Sequence, residues 1–168
     1  MVFMETPRLI LRNLAPKDAE VMFDYRNSAV CSRYQRGQAR DYEGIAALIA
    51  RQKDSEMSAD APFMLAVALR ETDEMVGEIV VKPEGGAFFL GYTISYRYHR
   101  RGYAFEALSA LIGRLRALRP DWNFISYTEP ENAASMGLLR KLGYEDAGYR
   151  PAVGARVFVK RARRETIG

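Results

Sequence analysis

The segment from Ala87 to Leu118 constrains the fold most, because its patterns predict a strand, a basic turn and a long helix in succession. Apolar and β-favouring residues alternate from Phe88 to Tyr96, which is typical of a strand. Gly102 follows in an arginine-rich turn, and after it apolar residues recur at the spacing of one buried helical face. A basic turn that leads into a helix N-terminus favours a phosphorylated ligand, because free N–H groups and the positive end of the helix dipole face the same point.

Size and composition limit the classes of protein. The 168 residues are 48% apolar and 27% charged, which predicts one globular domain, residues 1–168. No run is apolar enough to cross a membrane and no signal peptide is evident, so we expect a cytoplasmic protein without a membrane partner. Cys31 is the only cysteine, which excludes an internal disulfide, and with a single histidine no metal site is expected. The net charge of +4 suits an anionic small ligand at least as well as nucleic acid.

The order of predicted elements indicates an α/β fold of the α+β type. Short polar turns between the central strands predict antiparallel neighbours, and the long helix before the strand at 123–128 predicts one parallel pair. We therefore expect a mixed, mostly antiparallel sheet of about seven strands flanked by about four helices. Strands are predicted at 8–12, 63–69, 75–81, 88–96, 123–128, 144–149 and 156–161, helices at 16–25, 41–53, 103–118 and 132–142, and a turn at 83–86. Asp41 is predicted to cap the start of its helix, and Gly143 to end the last helix.

Four groups of residues occur in the order found in a known family. They are Thr6-x-Arg8-Leu9-x-Leu11-Arg12 with Asp18-Ala19, then Gly91-Tyr92, then His99-Arg100-Arg101-Gly102-Tyr103-Ala104 with Glu106-Ala107, and finally Asn132-x-x-Ser135 with Lys141-Leu142-Gly143-Tyr144. Together they resemble the GNAT acyltransferase superfamily, in particular its RimJ/RimL branch of ribosomal-protein N-acetyltransferases. The resemblance implies the GNAT fold and an N-acetyltransferase that moves an acetyl group from acetyl-CoA to a primary amine. The acceptor would be a protein N-terminus or a small amine that attacks directly in a ternary complex.

The resemblance also implies which residues bind the pyrophosphate of acetyl-CoA. They are His99, Arg100, Arg101, Gly102, Tyr103 and Ala104. His99 stands where glutamine or arginine is usual, although an imidazole can still point a donor at phosphate. The alternative is that Gly102 only begins a helix and that the neighbouring arginines are solvated charges.

The pantetheine arm of acetyl-CoA is expected to pair with a strand edge, as peptides do. The resemblance places this edge at the backbone of Ile94, Ser95 and Tyr96, where the fourth and fifth strands of the fold splay apart. The alternative is that these residues only pack in the core. Asn132 is expected either to reach the pantetheine arm or to cap the late helix, two roles that compete for one side chain.

Two proton movements need residues, because the amine must lose a proton and the departing CoA thiolate must be neutralised or hydrogen-bonded. The resemblance assigns the thiolate to Ser135, whose alternative role is that of a first-turn helix residue bonding the backbone. Phe88 and Phe89 stand where the family carries an acidic base. Glu78, on the neighbouring strand, is then the nearest catalytic carboxylate by topology, although its alternation also allows it to face solvent. The other candidates for the base are Glu129, Glu131 and a water chain.

The acceptor pocket is expected beneath the loop that connects the first two helices. Tyr25, Tyr34 and Arg36 would line it there, opposite the closing strand pair, although each is equally well explained as a surface residue.

Two other functions compete with acetyl transfer. The first is a CoA-ester-binding module without transfer activity. The second is nucleic-acid binding through the C-terminal cluster of Lys160, Arg161, Arg163 and Arg164. We expect no nucleic-acid partner, because a terminal run of charges is usually solvated surface, and a homodimer stays an open alternative.

Overall fold

The computed structural model describes residues 1–162. These residues form one eight-stranded sheet with five α-helices and two 3₁₀ turns, at Pro16–Asp18 and Tyr96–Tyr98. The strands are β1 (Val2–Glu5), β2 (Leu9–Arg12), β3 (Phe63–Leu69), β4 (Met75–Glu84), β5 (Ala87–Ile94), β6 (Asn123–Thr128), β7 (Glu145–Arg150) and β8 (Ala155–Lys160). The helices are α1 (Ala19–Arg26), α2 (Ala29–Ser32), α3 (Tyr42–Gln52), α4 (Tyr103–Leu118) and α5 (Ala133–Lys141). Within residues 1–162, none of the helices has the length and hydropathy that a membrane span requires.

The strands follow the spatial order β1-β2-β3-β4-β5-β6-β8-β7. In the described part of the chain, β5 and β6 form the one parallel pair, and the other neighbouring pairs are antiparallel. The parallel pair arises because α4 returns the chain to the starting end of β5 before β6 begins. The prediction of a single parallel pair joined by a helix is confirmed.

Helices cover both faces of the sheet. The larger core cluster lies between the sheet and helices α4 and α5, and includes Phe88, Leu111 and Phe124. A smaller cluster lies under α1 and α3 on the opposite face, and includes Tyr25 and Ile45. Helices α3 and α4 bury the apolar stripes that their 3.6-residue periods predict. The strands β3 and β4 therefore have core on both faces, which explains why β3 is buried along nearly its whole length.

Capping residues in the sequence mark the ends of helices α3 and α5. Asp41 caps α3 by accepting a hydrogen bond from the Gly44 N–H at 3.2 Å. Asn132 caps α5 in the same way, with 3.1 Å from the Ser135 N–H to its Oδ1. Gly143 follows α5 with a φ of +90°, a conformation that glycine adopts without strain. The two predicted N-caps and the predicted glycine at the end of α5 are confirmed.

The strand assignment needs correction at β1 and β4. The edge strand β1 was not predicted from the sequence, and its pairing with β2 defines it. Strand β4 continues to Glu84, so the turn expected at 83–86 is reduced to Gly85 and Gly86. Both glycines have positive φ, +58° and +76°, which a tight two-residue hairpin requires.

Strand β5 ends at Ile94, two residues earlier than its alternating pattern predicts. The Ser95 side chain accepts a hydrogen bond from the Arg97 N–H at 3.3 Å and begins the 3₁₀ turn Tyr96–Tyr98. A local side-chain bond of this kind competes with strand pairing. The chain therefore leaves the sheet immediately before the basic turn.

Arg12 is a buried arginine that joins three parts of the chain. Its guanidinium donates to both carboxylate oxygens of Asp18, at 2.8 and 2.9 Å, and to Asp73 at 2.7 Å. Burial disfavours the charged form, but the hydrogen bonds and charges of Asp18 and Asp73 outweigh it, so the pKa of Arg12 lies above its ordinary value. These ion pairs fix β2 to the turn before α1 and to the β3–β4 turn.

We expect Asp18→Ala to destabilise the fold by about 3 kcal/mol, because it leaves a buried guanidinium short of a partner. Glu145→Ala is the matched control, since it removes a carboxylate from an exposed pair with Arg161 that is 3.7 Å long. Urea unfolding measures both variants. Equal urea midpoints for the two variants would show that the buried Arg12–Asp18 pair does not stabilise the fold.

Candidate active site

The N-terminus of α4 is an open backbone site. Gly102 occupies the N-cap position with a φ of +77°, and Arg100 is also left-handed at +62°. Among residues 1–162 no side chain caps this helix end, and the first helical bond runs from the Glu106 N–H to the Gly102 carbonyl at 3.1 Å. The N–H groups of the first turn therefore have no carbonyl partner within the helix. An anion placed there meets these donors and the positive end of the helix dipole.

The segment before β2 clamps this turn in place. Glu106 accepts hydrogen bonds from the Arg8 N–H at 3.0 Å, from the Arg8 Nε at 2.7 Å and from the Thr6 hydroxyl. Arg8 also donates to the Arg101 carbonyl at 2.7 Å and lies 4.5 Å from the Tyr103 ring centroid. Burial raises the pKa of Glu106, but the bonds from Thr6 and Arg8 outweigh it and leave the pKa below its ordinary value.

This clamp was not predicted from the sequence. Thr6, Arg8 and Glu106 were noted as separate motif matches, whereas the structure makes them one hydrogen-bonded unit. The opposite charges of Arg8 and Glu106 were the one feature of the sequence that could have indicated the clamp.

A groove of about 640 Å³ opens beside the clamp, and its lining includes Arg8, Gly102 and Lys141. The groove therefore joins the uncapped helix end to two cationic side chains.

The parallel pairing of β5 with β6 is short. It extends from Ala87 to Phe89, and beyond that the strands diverge. We call the space between them the β5–β6 gap. Side chains hydrogen-bond the β5 carbonyls that face it. Ser126 donates to the Leu90 carbonyl at 2.9 Å, Gln35 to the Tyr92 carbonyl at 3.3 Å, and the His99 ring lies 2.7 Å from the Ile94 carbonyl.

The expected strand edge needs correction at Ser95 and Tyr96, which lie past the end of β5, whereas the role of Ile94 stays a prediction. Ile94 faces the gap, but its carbonyl already contacts the His99 ring. The Ser95 N–H faces the other way and bonds the Val76 carbonyl at 2.7 Å, and Tyr96 belongs to the 3₁₀ turn. His99 directs its Nε2 at the Ile94 carbonyl, and its contact with the pyrophosphate stays a prediction. His99 therefore fastens the basic turn to the end of β5.

Tyr92 and Ser135 meet across the gap. The Tyr92 hydroxyl lies 2.8 Å from the Ser135 Oγ, and the ring of Tyr92 packs against the larger core cluster. Burial raises the pKa of Tyr92, against a lowering by the bond with Ser135. The Ser135 N–H is used separately, in the Asn132 cap. The expected N-cap role of Asn132 is thus confirmed, and Tyr92 is a site residue that sequence reasoning recorded only as a motif match.

Glu78 is not turned to solvent, as its alternation had allowed. It is 1% exposed, and Arg26 donates to its two oxygens at 2.9 and 2.6 Å. The Tyr25 hydroxyl adds a third bond at 2.7 Å. Tyr25 itself is fully buried on α1, so its expected place on the roof loop is wrong. Burial raises the pKa of Tyr25 well above its ordinary value, and the Glu78 charge adds to that.

The other two predicted acceptor residues lie where the roof was expected. The Tyr34 hydroxyl donates to the Glu131 carbonyl at 3.3 Å. Arg36 pairs with Glu129 and donates to the Gly154 carbonyl at 2.9 Å. We call the loop 33–40 the roof loop. It connects the segment before α5 with the β7–β8 turn and reaches β5 through Gln35.

Phe88 and Phe89, at the positions where the family carries an acidic base, both pack against other aromatic rings. Phe88 is buried against Trp122 and Phe124, with ring centroids 4.8 and 5.7 Å away. Phe89 points to the opposite face, 5.8 Å from the Tyr127 ring. Within residues 1–162, no group of three or more histidine, cysteine, aspartate or glutamate side chains is arranged to hold a metal ion.

A model of the acetyltransferase (GNAT) domain matches residues 8–145. The chain belongs to the GNAT acetyltransferase family. The N-acetyltransferase p20 of Bacillus licheniformis is 27% identical over 166 residues, which cover 88% of this chain and 85% of that protein. The ribosomal protein uS5-alanine N-acetyltransferase of Escherichia coli is 34% identical over 70 residues, 42% of this chain and 36% of that protein. The structure of RimL, a ribosomal L7/L12 alpha-N-protein acetyltransferase in complex with coenzyme A, matches with a TM-score of 0.78 at 16% identity, covering 96% of this chain and 98% of that one.

These matches support several expectations. The protein is a GNAT acyltransferase, and ribosomal-protein acetyltransferases are among its relatives and structural neighbours, as the RimJ/RimL resemblance implied. Its sheet has eight strands where about seven were expected, within the same fold. The family uses acetyl-CoA as donor.

Gly102→Glu tests whether the turn at 99–104 binds the pyrophosphate of CoA. We expect it to weaken CoA binding on the order of a hundredfold, because a carboxylate would face the pyrophosphate across the helix N-terminus. Gly86→Glu is the matched control, since that glycine has nearly the same φ, +76°, and open space around it. Titration calorimetry with CoA measures both. Unchanged affinity in Gly102→Glu would show that CoA binds elsewhere.

Proposed function

We propose that this enzyme transfers the acetyl group of acetyl-CoA to the α-amino group of a protein or peptide N-terminus. The observation that carries the proposal is that an uncapped, cationic helix end and a gap lined by hydroxyl groups lie on the same face of one sheet. The first suits a pyrophosphate and the second suits a thioester sulfur. Neither feature alone indicates acetyl transfer, but acetyl-CoA carries both a pyrophosphate and a thioester sulfur.

The residues of the site fit acetyl-CoA. The N–H groups at Gly102, Tyr103 and Ala104 supply donors for pyrophosphate, and Arg100 and Arg101 add positive charge next to them. When bound, acetyl-CoA supplies an activated acyl group. Ser135 would donate a hydrogen bond to the sulfur as the thiolate leaves. Asn132 still has its amide nitrogen as a donor toward the pantetheine arm, since only Oδ1 is used in the cap.

The paired carboxylates favour an acceptor of low pKa. Glu78 is held by Arg26 and Tyr25, and Glu129 by Arg36, so neither is a free base. An α-amino group has a pKa of about 8, and roughly one in ten is neutral at pH 7. A lysine amine, with a pKa of about 10.4, is neutral in fewer than about one in a thousand molecules. An acceptor that enters already neutral attacks without a strong base, and its proton passes to water.

Ser135→Ala should lower kcat roughly tenfold, while at pH 7, where the thiol of CoA keeps its proton, the affinity for CoA stays within about twofold. The Asn132 cap is kept, because the main-chain N–H of residue 135 makes that bond, so the loss reports on the hydroxyl. Release of CoA thiol with an N-terminal peptide panel measures kcat, and thermal unfolding checks the fold. Full activity in this variant would remove Ser135 from the chemistry.

The pH dependence of kcat/KM distinguishes an α-amine acceptor from a lysine acceptor. With an N-terminal peptide, kcat/KM should rise as pH increases and level off above about pH 9, where most of the α-amine has lost its proton. With the same peptide N-terminally blocked and carrying one lysine, the rate should be at least about a hundredfold lower at pH 7. Equal rates for the two peptides would reject the α-amine proposal while leaving acetyl transfer intact.

A further inference from the structure

Tyr92 contacts Ser135, the residue that is proposed to hydrogen-bond the leaving sulfur. Its hydroxyl lies 2.8 Å from the Ser135 Oγ, and either oxygen can be the donor. A serine hydroxyl carries one hydrogen and two lone pairs, so it can donate one bond and accept others. Which group donates in this pair therefore decides where the Ser135 hydrogen points.

Both partners are held rigidly. Tyr92 lies opposite Ile79 in the β4–β5 ladder, and its ring packs against the larger core cluster. Ser135 stands in the first turn of α5, where the Asn132 cap bonds its N–H. The two oxygens are thus placed by different elements on the two sides of the β5–β6 gap. Burial raises the pKa of Tyr92, so the phenol keeps its proton at neutral pH.

We propose that Tyr92 is a positioning residue that donates its hydroxyl hydrogen to the Ser135 Oγ and thereby directs the Ser135 hydrogen at the CoA sulfur. The inference rests on the proposed function, since it concerns the same sulfur. Without Tyr92, the Ser135 hydroxyl is free to rotate toward other acceptors, such as main-chain carbonyls of its own helix. With Tyr92 donating, one lone pair of Ser135 is used and its hydrogen faces the gap.

The transfer step balances without a proton from either residue. The amine nitrogen forms a bond to the acyl carbon, the carbon–sulfur bond breaks, and sulfur keeps the electron pair. The amine proton passes to water, so the products are the amide, the CoA thiolate and one proton. Tyr92 and Ser135 both keep their hydrogens, and their contribution is to stabilise negative charge on sulfur as it forms.

The test uses CoA itself and needs no acceptor. Calorimetry gives the affinities of CoA and of desulfo-CoA, which lacks the thiol, across a pH series. In the wild type, the ratio of the two affinities should rise with pH, because a hydrogen bond to the thiolate lowers the pKa of the bound thiol. Desulfo-CoA cancels every other titrating group of the protein, since it makes the same remaining contacts.

We expect Tyr92→Phe to reduce this rise roughly tenfold, as Ser135→Ala does. The double variant should be no worse than Ser135→Ala alone, because Tyr92 acts through Ser135. Tyr144→Phe is the matched control. It removes a buried tyrosine hydroxyl that is hydrogen-bonded to Ser126 at 3.4 Å rather than to Ser135, and it should keep the wild-type ratio.

Each other outcome overturns a specific step. If Tyr92→Phe keeps the wild-type rise while Ser135→Ala loses it, Tyr92 only packs and the inference fails. If the two losses add in the double variant, Tyr92 does not act through Ser135, and the inference fails as well. If the ratio is flat in the wild type, Ser135 does not face the sulfur. If CoA does not bind the wild type at all, the proposed function itself is wrong, which the acetyl-transfer assay shows separately.

Discussion

The early end of the β5–β6 pairing is the constraint on which the site depends. Past Phe89, β5 stays paired with β4 as far as Ile94, while β6 stays paired with β8 as far as Thr128. Each strand follows its antiparallel neighbour, and the sheet opens between them. A buried carbonyl without a partner is costly, so the open edge must be satisfied by other groups. Side chains from β6, from the roof loop and from the basic turn do this, and the gap becomes a place where three elements meet.

The two faces of the sheet next to the gap have different electrostatics. On the α4 and α5 face lie an uncapped helix end, cationic side chains and the Tyr92–Ser135 pair, all suited to developing negative charge. On the other face, the Glu78 carboxylate is neutralised by Arg26, which also donates to the Ala39 carbonyl at 2.9 Å. This buried pair therefore holds the roof loop to α1. For Glu78 to accept a proton from a substrate, it would have to give up a buried ion pair, which is expensive.

Local chemistry explains what could be predicted from the sequence. The bounds of β3 and β6 were predicted to the residue, because each is a run of β-favouring residues between polar turns. The caps at Asp41 and Asn132 depend on bonds three residues long and were predicted for the same reason. The pairs Arg26–Glu78 and Arg8–Glu106 join residues far apart in the chain, and no period or spacing in one sequence marks such partners.

In the C-terminal cluster, Lys160 donates to the Leu142 carbonyl at 2.8 Å, and Arg163 and Arg164 lie outside the described residues.

The two sides of the proposed site are held by different numbers of contacts. At the N-terminus of α4, Glu106 accepts bonds from the Arg8 N–H, the Arg8 Nε and the Thr6 hydroxyl. The far end of the roof loop is held by Arg36, which pairs with Glu129. Both arginine side chains are exposed, Arg8 by 46% and Arg36 by 60%, and exposed ion pairs typically contribute only about 0–1 kcal/mol. The clamp also has the main-chain and hydroxyl bonds to Glu106, which do not depend on an arginine side chain. On the proposed function, we therefore expect an entering acceptor to displace the roof loop more readily than the turn before α4, which suits direct attack in a ternary complex.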